Sequence, residues 1–118
     1  SGDLVSQARD VAGVRVLAAR ADDAGGADLR GMVDDLRQKL RSGIVLLAAE
    51  AEGRVTLALG VTPDLVGRFK AGALIRDLAE IVGGKGGGKP DFAQAGGRDV
   101  AKIPEAFERL MALVEQGA

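Results

Sequence analysis

The chain has 118 residues, of which 47% are hydrophobic, and this is enough for one domain with a real core but too little for two independent domains. It contains no cysteine and no histidine, which excludes thiol nucleophiles, disulfides, imidazole acid–base chemistry and almost every transition-metal site. The formal net charge of −1 does not by itself indicate nucleic-acid binding, and no apolar run approaches the ~20 residues of a membrane span, so we expect a cytoplasmic protein without a membrane partner.

The N-terminal residues lack the basic and apolar regions of a signal peptide. We interpret Ser1-Gly2 as a remnant of tag cleavage on a piece of a longer protein. A short helix is expected over Leu4–Val11. Gly13 then opens Val14–Ala19, in which alternate apolar residues would share one face, and this pattern predicts the first strand.

A turn over Asp22–Gly26 separates this strand from an amphipathic helix. Asp28 is the expected N-cap, the apolar stripe continues to Leu40, and Gly43 marks the stop. The continuously apolar segment Ile44–Ala49 is typical of a central strand that is covered on both faces.

The next strand is predicted over Val55–Val61, with a hairpin turn at Glu52-Gly53. Thr62–Phe69 combines a hydroxyl cap with a proline and predicts a short turn. A helix with a buried stripe over Leu74–Val82 follows, and we expect the double glycine Gly83-Gly84 to end it.

A final amphipathic helix is predicted over Ile103–Val114, with Pro104 tolerated in its first turn. The resulting order β-α-β-β-α-α predicts a single small α/β (α+β) domain over residues 1–118, with a mixed central sheet packed by amphipathic helices. The first crossover should give a parallel pair of strands and the hairpin an antiparallel pair.

The most informative segment is residues 83–97, which combines seven glycines with two lysines and is predicted to be a glycine-rich loop. Glycine lets a ligand approach bare N–H groups, and lysine attracts phosphate, so this composition indicates a phosphate-contacting segment. A nucleotide P-loop is rejected because Pro90 stands where Ser or Thr must hold magnesium and because a helix precedes the segment. The dinucleotide-binding fingerprint also fails in its glycine spacing.

Basic residues concentrate in the second half of the chain. Residues 68–102 carry seven basic side chains against four acids, whereas residues 1–35 carry four arginines against seven aspartates. Together with the glycine-rich segment, this charge predicts a surface that can hold phosphates or the ribose edges of folded RNA. The first predicted contacts are Lys85 and Lys89, and the second are Arg98, Lys70, Arg68 and Lys102. Gln94 and the backbone of Gly86, Gly87 and Gly88 are predicted sugar or base contacts.

Several of these features also have ordinary structural explanations. Gly96-Gly97 are equally consistent with tight packing against a helix, and Gln94 with an exposed side chain of no special role. Core burial is the preferred interpretation of Phe92, although stacking on an unpaired base is an alternative. The carboxylates of Asp22-Asp23 with Asp28 and of Asp34-Asp35 are interpreted as turn and helix-surface residues rather than as a divalent-cation site.

The sequence from about Leu4 to Val114 resembles the C-terminal (DHHA1-type) domain of bacterial alanyl-tRNA synthetase. Four segments carry the resemblance: Asp10–Ala19, Gly60–Leu65, Lys70–Gly72 and, most specifically, Gly83–Gly97. Related modules occur in single-strand exonucleases and small phosphoesterases, where the glycine motif carries a histidine that this chain lacks.

The resemblance implies a non-catalytic domain that binds alanine-specific tRNA at its outer corner, the elbow, and assists the aminoacylation and editing domains of the same chain. No cofactor is then expected here, and ATP, magnesium and zinc would belong to the parent ligase. The family's dimer-forming helices would precede Leu4, so a homodimer is left open. The alternatives are a dimerisation or protein-interaction module, and an oligonucleotide- or DNA-binding accessory domain related to those of phosphoesterases.

Overall fold

The structure is a computed structural model that describes residues 4–22, 24 and 26–117. The interpretation of Ser1-Gly2, and the parts that Asp23 and Gly25 play in the predicted turn and carboxylate cluster, lie outside the described residues.

The described part of the chain contains six strands, three α-helices and two short 3-10 helices. The strands are β1 (Arg9–Val11), β2 (Val14–Arg20), β3 (Ile44–Ala51), β4 (Arg54–Val61), β5 (Lys85–Gly88) and β6 (Phe92–Gly97). The helices are α1 (Gly26–Leu40), α2 (Ala71–Ile81) and α3 (Ile103–Gln116), and the 3-10 helices cover Leu4–Gln7 and Val100–Lys102.

The six strands form one mixed sheet in the order β1-β2-β3-β4-β6-β5 within the described residues. Strands β2 and β3 are parallel and joined through α1, with Val16 opposite Ile44, and each other neighbouring pair is antiparallel. The predicted fold class, a mixed sheet packed by amphipathic helices, is therefore confirmed. The long pairing of β3 with β4 places the most apolar strands in the middle of the sheet, as their composition predicts.

Helices cover the two faces of the sheet unequally. Helix α1 packs on one face through a fully or nearly buried stripe of Leu29, Val33, Leu36 and Leu40, against residues of β2 and β3 and Phe92 of β6. Helices α2 and α3 pack on the other face and form the larger core cluster. The alternation of strand side chains supplies both cores, and each helix contributes one apolar stripe.

Three local predictions were wrong. The expected helix over Leu4–Val11 is a 3-10 turn over Leu4–Gln7 followed by the edge strand β1. Asp28 lies inside the first turn of α1 rather than at its N-cap, because the helix already begins at Gly26. The predicted loop over residues 83–97 is a β-hairpin, since β6 pairs with β4 and β5 with β6.

Polar side chains fix the ends of the strands beside α1. Arg37 of α1 donates hydrogen bonds to the carbonyl oxygens of Val61 (3.2 Å) and Asp91 (2.8 Å), which joins the helix to the end of β4 and the start of β6. The buried hydroxyl of Thr62 accepts a hydrogen bond from the Gly43 N–H. These bonds join α1 to the strand ends, where the Asp91 carbonyl oxygen also accepts the Val61 N–H at 2.9 Å.

Asp64 completes this polar cluster at the surface. Its carboxylate accepts hydrogen bonds from the hydroxyls of Ser42 (2.5 Å) and Thr62 (2.6 Å). The Ser42 bond, followed by the Thr62 bond, lowers the pKa of Asp64 below its ordinary value, because both bonds favour the ionised form.

Candidate nucleic-acid interface

The glycine-rich segment of residues 83–97, called the glycine tract below, forms the hairpin β5–β6 at one edge of the sheet. Its turn is closed by the Lys89 N–H, which donates to the Phe92 carbonyl oxygen at 2.9 Å. Lys85 lies opposite Gly96, and Gly87 lies opposite Gln94. Because successive strand residues point to opposite faces, these four residues share the α1 side of the sheet, whereas Gly86 and Gly88 point to the α2 side.

The glycines on the α2 side are required by packing. A Cβ atom at Gly86 would lie 2.3 Å from the Cβ of Ala95, and one at Gly88 would lie 2.6 Å from the Cα of Ala93. A Cβ at Gly72 of α2 would in turn lie 2.7 Å from the Gly88 carbonyl oxygen. Helix α2 can therefore lie directly on the hairpin only because these side chains are absent.

The glycines on the α1 side have no such packing role. A Cβ at Gly87 would meet no atom within 4 Å, and one at Gly96 would meet only the Val55 carbonyl oxygen, at 3.8 Å. Neither residue has a positive φ. Packing and backbone conformation would thus both accept a side chain at Gly87 and at Gly96.

Among the described residues, Phe92 is the one residue of the hairpin in the apolar core beneath α1, and no core side chain covers the sheet beyond it on this side. We call the uncovered surface the open glycine face and define it by Thr56, Lys85, Gly87, Gln94 and Gly96. Thr56 belongs to it because β4 pairs with β6 so that Thr56 lies opposite Gly96. Two of its five residues, Gly87 and Gly96, have no side chain, and bare backbone of this kind lets a ligand approach closely.

Two depressions lie along the open glycine face and its rim. The first has a volume of about 490 Å³ and is lined by Arg54, Lys85 and Arg98 together with further residues of β4 and β6 and the segment Gly83-Gly84. The second has a volume of about 210 Å³ and is lined by Arg30, Gly87, Gly88, Lys89, Phe92 and Gln94.

The charged side chains that line the two depressions are all cationic among the residues that the structure describes. Five cationic side chains line the two depressions, no carboxylate lines either of them, and none of the five forms an ion pair with a described residue. The guanidinium carbon of Arg30 lies 4.5 Å above the centroid of the Phe92 ring. A surface with unpaired charge of one sign attracts polyanions and raises their rate of encounter.

The structure brings six of the ten predicted contact residues to this surface. Lys85, Gly87, Gly88, Lys89, Gln94 and Arg98 line the depressions. Gly86 faces α2 instead. Its role in the packing follows from the distances above, and a ligand-binding role for it stays a prediction.

The other three predicted cations lie away from the depressions. The guanidinium of Arg68 lies 4.9 Å from the Phe69 ring centroid, and the Lys70 Nζ donates to the Val66 carbonyl oxygen at 3.1 Å. Lys102 lies exposed in the 3-10 helix before α3. Their contact with RNA stays a prediction that the geometry does not favour.

Sequence reasoning missed Arg30, Arg54 and Thr56. Arg30 reaches the second depression from α1, and Arg54 and Thr56 reach the surface through the pairing of β4 with β6. No local pattern marks these residues, because contacts between distant segments decide their neighbours. Arg30 meets Phe92 through the packing of α1 on the sheet, and Arg54 and Thr56 depend on the pairing of β4 with β6. Only the recognition of β6 as a strand would have provided a signal.

The acidic clusters show no sign of a cation site in the described part of the chain, where no group of three carboxylates is arranged to hold a metal ion. Asp22 is instead paired with Arg20, whose hydrogen bonds lower the pKa of the Asp22 carboxyl. None of the described helices is long and apolar enough to cross a lipid bilayer.

Comparison with known proteins extends this description. The alanine–tRNA ligase of Myxococcus xanthus is 50% identical to this chain over 116 residues, which is 98% of this chain and 13% of that protein. The solved C-Ala domain from Aquifex aeolicus alanyl-tRNA synthetase has a TM-score of 0.87 at 26% identity. The match covers 92% of this chain and 97% of the Aquifex chain.

A more distant solved structure shares the fold alone. An exopolyphosphatase-related protein from Bacteroides fragilis has a TM-score of 0.59 at 16% identity, covering 96% of this chain and 33% of that one. The profile of the DHHA1 domain matches residues 13–116 here, from the turn between β1 and β2 to the end of α3. With nearly the whole described fold inside that match, the chain belongs to the DHHA1 domain family.

Proposed function

We propose that this chain is a tRNA-binding accessory domain of an alanine–tRNA ligase and that the open glycine face is its RNA-contacting surface. The observation that carries the proposal is the coincidence of bare backbone with unpaired cations on one side of the β5–β6 hairpin. The relatives named alanine–tRNA ligase support the identity of the polyanion. The chain spans 13% of the length of these relatives, so it would act as one part of a longer enzyme.

The mechanism follows from the shape of the surface. Lys85, Arg98 and Arg54 would neutralise phosphates at the first depression, and Lys89 and Arg30 would do so at the second. Such contacts fix the position of an RNA without reading its sequence. Bare backbone flanked by cations suits the phosphates and sugars of a folded RNA, so we assign recognition to shape.

The contribution to catalysis would be indirect. Binding the outer corner would hold one tRNA near both the aminoacylation and the editing domains of the same chain and would raise its local concentration there. The chemistry, with ATP, magnesium and zinc, is assigned to those other domains, and no cofactor is assigned to this one. The proposed activity places the protein in the cytoplasm.

The test is a salt titration of binding by fluorescence anisotropy. Three ligands are compared: full-length alanine-specific tRNA, a hairpin of its acceptor stem, and single-stranded DNA. We expect salt-sensitive binding that is tightest for full-length tRNA. Equal binding to all three would reduce the surface to a general polyanion site, and no binding would refute the proposal.

Charge variants locate the contact. Replacing Lys85 and Lys89 by alanine should weaken tRNA binding and lower the slope of log K against log salt by about 1 for each lost phosphate contact. Lys39→Ala is the matched control, because Lys39 is an exposed lysine of α1 that lines neither depression. An unchanged slope in K85A/K89A, or an equal loss in K39A, would overturn the assignment.

A dimerisation module is the second function considered. Such a module would present exposed apolar side chains, and among the described residues no large hydrophobic side chain is exposed. The described surface therefore favours RNA binding over dimerisation through an apolar helix face.

A further inference from the structure

The second depression differs from the first in two ways. Its lining includes an arginine, Arg30, that stacks on the ring of Phe92, and a glycine, Gly87, at which an added Cβ would meet no other atom. Arg30 comes from α1, Gly87 and Gly88 from β5, and Gln94 from β6. Its volume of about 210 Å³ is smaller than the clefts of about 300–1,000 Å³ that enclose whole small-molecule ligands. It therefore has room for one flat group rather than for a complete ligand.

The guanidinium of Arg30 is held against a rigid support. The Phe92 ring beneath it is buried, with 7% of its surface exposed, and the two groups are 4.5 Å apart. A guanidinium that stacks on an aromatic ring keeps a fixed plane, while the Arg30 side chain as a whole remains exposed. Such a plane can stack a further flat, π-bearing group on its free side.

Gly87 provides independent evidence for a ligand at this position. Its Cβ would have no neighbour within 4 Å and its φ is not positive, so the fold does not require glycine here. At Gly88, the next residue, an added Cβ would by contrast lie 2.6 Å from the Ala93 Cα, so packing there does require glycine. A side chain at residue 87 would project into the depression, so its absence keeps the space open.

Polar groups with complementary roles border the same space. The exposed amide of Gln94 both donates and accepts hydrogen bonds, as the edge of a nucleobase requires. Lys89, in the turn between β5 and β6, supplies one exposed ammonium group, and no carboxylate of the described residues lines the depression. A planar heterocycle with an attached phosphate would match this set of groups.

We propose that the second depression binds one unpaired nucleobase of the RNA. The base stacks on the guanidinium of Arg30 and lies over Gly87, Gln94 hydrogen-bonds its edge, and Lys89 contacts its phosphate. This inference rests on the proposed RNA-binding function. It adds that one nucleotide is held by its base, whereas the first depression contacts backbone phosphates alone.

The experiment uses alanine-specific tRNAs that each carry a single abasic position among the unpaired nucleotides. Binding to this chain is measured by anisotropy at fixed salt. With the wild-type protein, removal of one particular base should weaken binding about tenfold, because stacking on a protein side chain contributes that much to the binding of a single base. Abasic substitutions at the other positions should have little effect.

Arg30→Lys is the diagnostic variant, since it keeps the charge but removes the stacking plane. It should bind intact and abasic tRNA equally while its salt slope stays that of the wild type. Gly87→Ala should also abolish the difference, through steric block. Arg54→Lys, at the first depression, is the matched control and should keep the tenfold difference.

The outcomes separate the two proposals. If the wild-type protein binds tRNA but no abasic position matters, or if R30K retains the base-dependent difference, the nucleobase subsite is refuted and the proposed function stands. If the wild-type protein does not bind tRNA at any salt concentration, the proposed function fails and the subsite fails with it.

Discussion

Replacing Gly84 by alanine should strongly destabilise the protein. The new Cβ would lie 1.6 Å from the Gly96 carbonyl oxygen, 2.5 Å from the Gly96 carbonyl carbon and 2.6 Å from the Gly97 Cα. All three are backbone atoms of β6, so no side chain can rotate away from the contact. Residue 84 cannot retreat freely either, because its N–H donates to the Ala79 carbonyl oxygen at 2.9 Å and so caps α2.

The magnitude follows from the size of the displacement. Overpacking typically destabilises a core by about 1–3 kcal/mol, and by more where the neighbours cannot relax. Since a backbone segment would have to move by more than an ångström here, we expect a loss of about 3 kcal/mol or more in the free energy of unfolding. For a domain of this size that loss lowers Tm by roughly 10–20 °C.

Urea unfolding followed by circular dichroism measures the effect, with two further glycine variants as controls. Gly87→Ala should change the free energy of unfolding by no more than about 0.5 kcal/mol, because its Cβ position is empty. Gly31→Ala, in the exposed middle of α1, should stabilise by about 0.5–1 kcal/mol. A G84A variant within about 1 kcal/mol of the wild type, or a G87A variant as unstable as G84A, would refute the division of the glycines into packed and open sets.

Three further predictions concern the strand ends and the open glycine face. Arg37→Ala should lower the free energy of unfolding by about 2 kcal/mol, as measured in urea, because it leaves the Val61 and Asp91 carbonyl oxygens without their charged donor. Asp64→Asn should cost about 1 kcal/mol at pH 7, less than a buried charged hydrogen bond because water screens the site. The pKa of Asp64 is lowered by folding, so its contribution is present above the ordinary value of 3.8 and is lost as the pH falls through the folded-state pKa. Urea titrations should therefore show wild type and D64N converging in acid, and a constant difference would contradict this. Arg54→Ala should lower the salt slope of tRNA binding by about 1, with K39A unchanged in the same titration.

The helices and central strands were predictable because either the spacing or the unbroken run of their apolar residues marks them. The buried stripe of α1 and the unbroken apolar run of β3 are visible in the sequence, and both elements occur where expected. The hairpin was not predictable in this way. Five of the ten residues in β5 and β6 are glycines, which have low strand propensity, and with Lys85 and Gln94 among them the two strands show no alternating apolar pattern. These strands form because β4 offers an unpaired edge and α2 packs closely on them.

The candidate site was predictable in the same uneven way. Composition identified the lysines and glycines of the tract, whereas Arg30 and Arg54 depend on contacts between distant segments. Composition also could not separate the glycines by role. That separation needs the pleat of the strand, which sends Gly86 and Gly88 towards α2 and Gly87 towards the open side.

The two roles of the tract together restrict its length as well as its composition. A strand has a side-chain period of two, so a shift of one residue exchanges its faces. Deleting Gly87 would move Lys89 into the place of Gly88, where the space beside Gly72 and Ala93 is already filled. The same deletion would remove the cation from the rim of the second depression. Three glycines between Lys85 and Lys89 therefore keep both lysines on the accessible surface and leave the α2 contact free of side chains, which a tract defined by flexibility alone would not require.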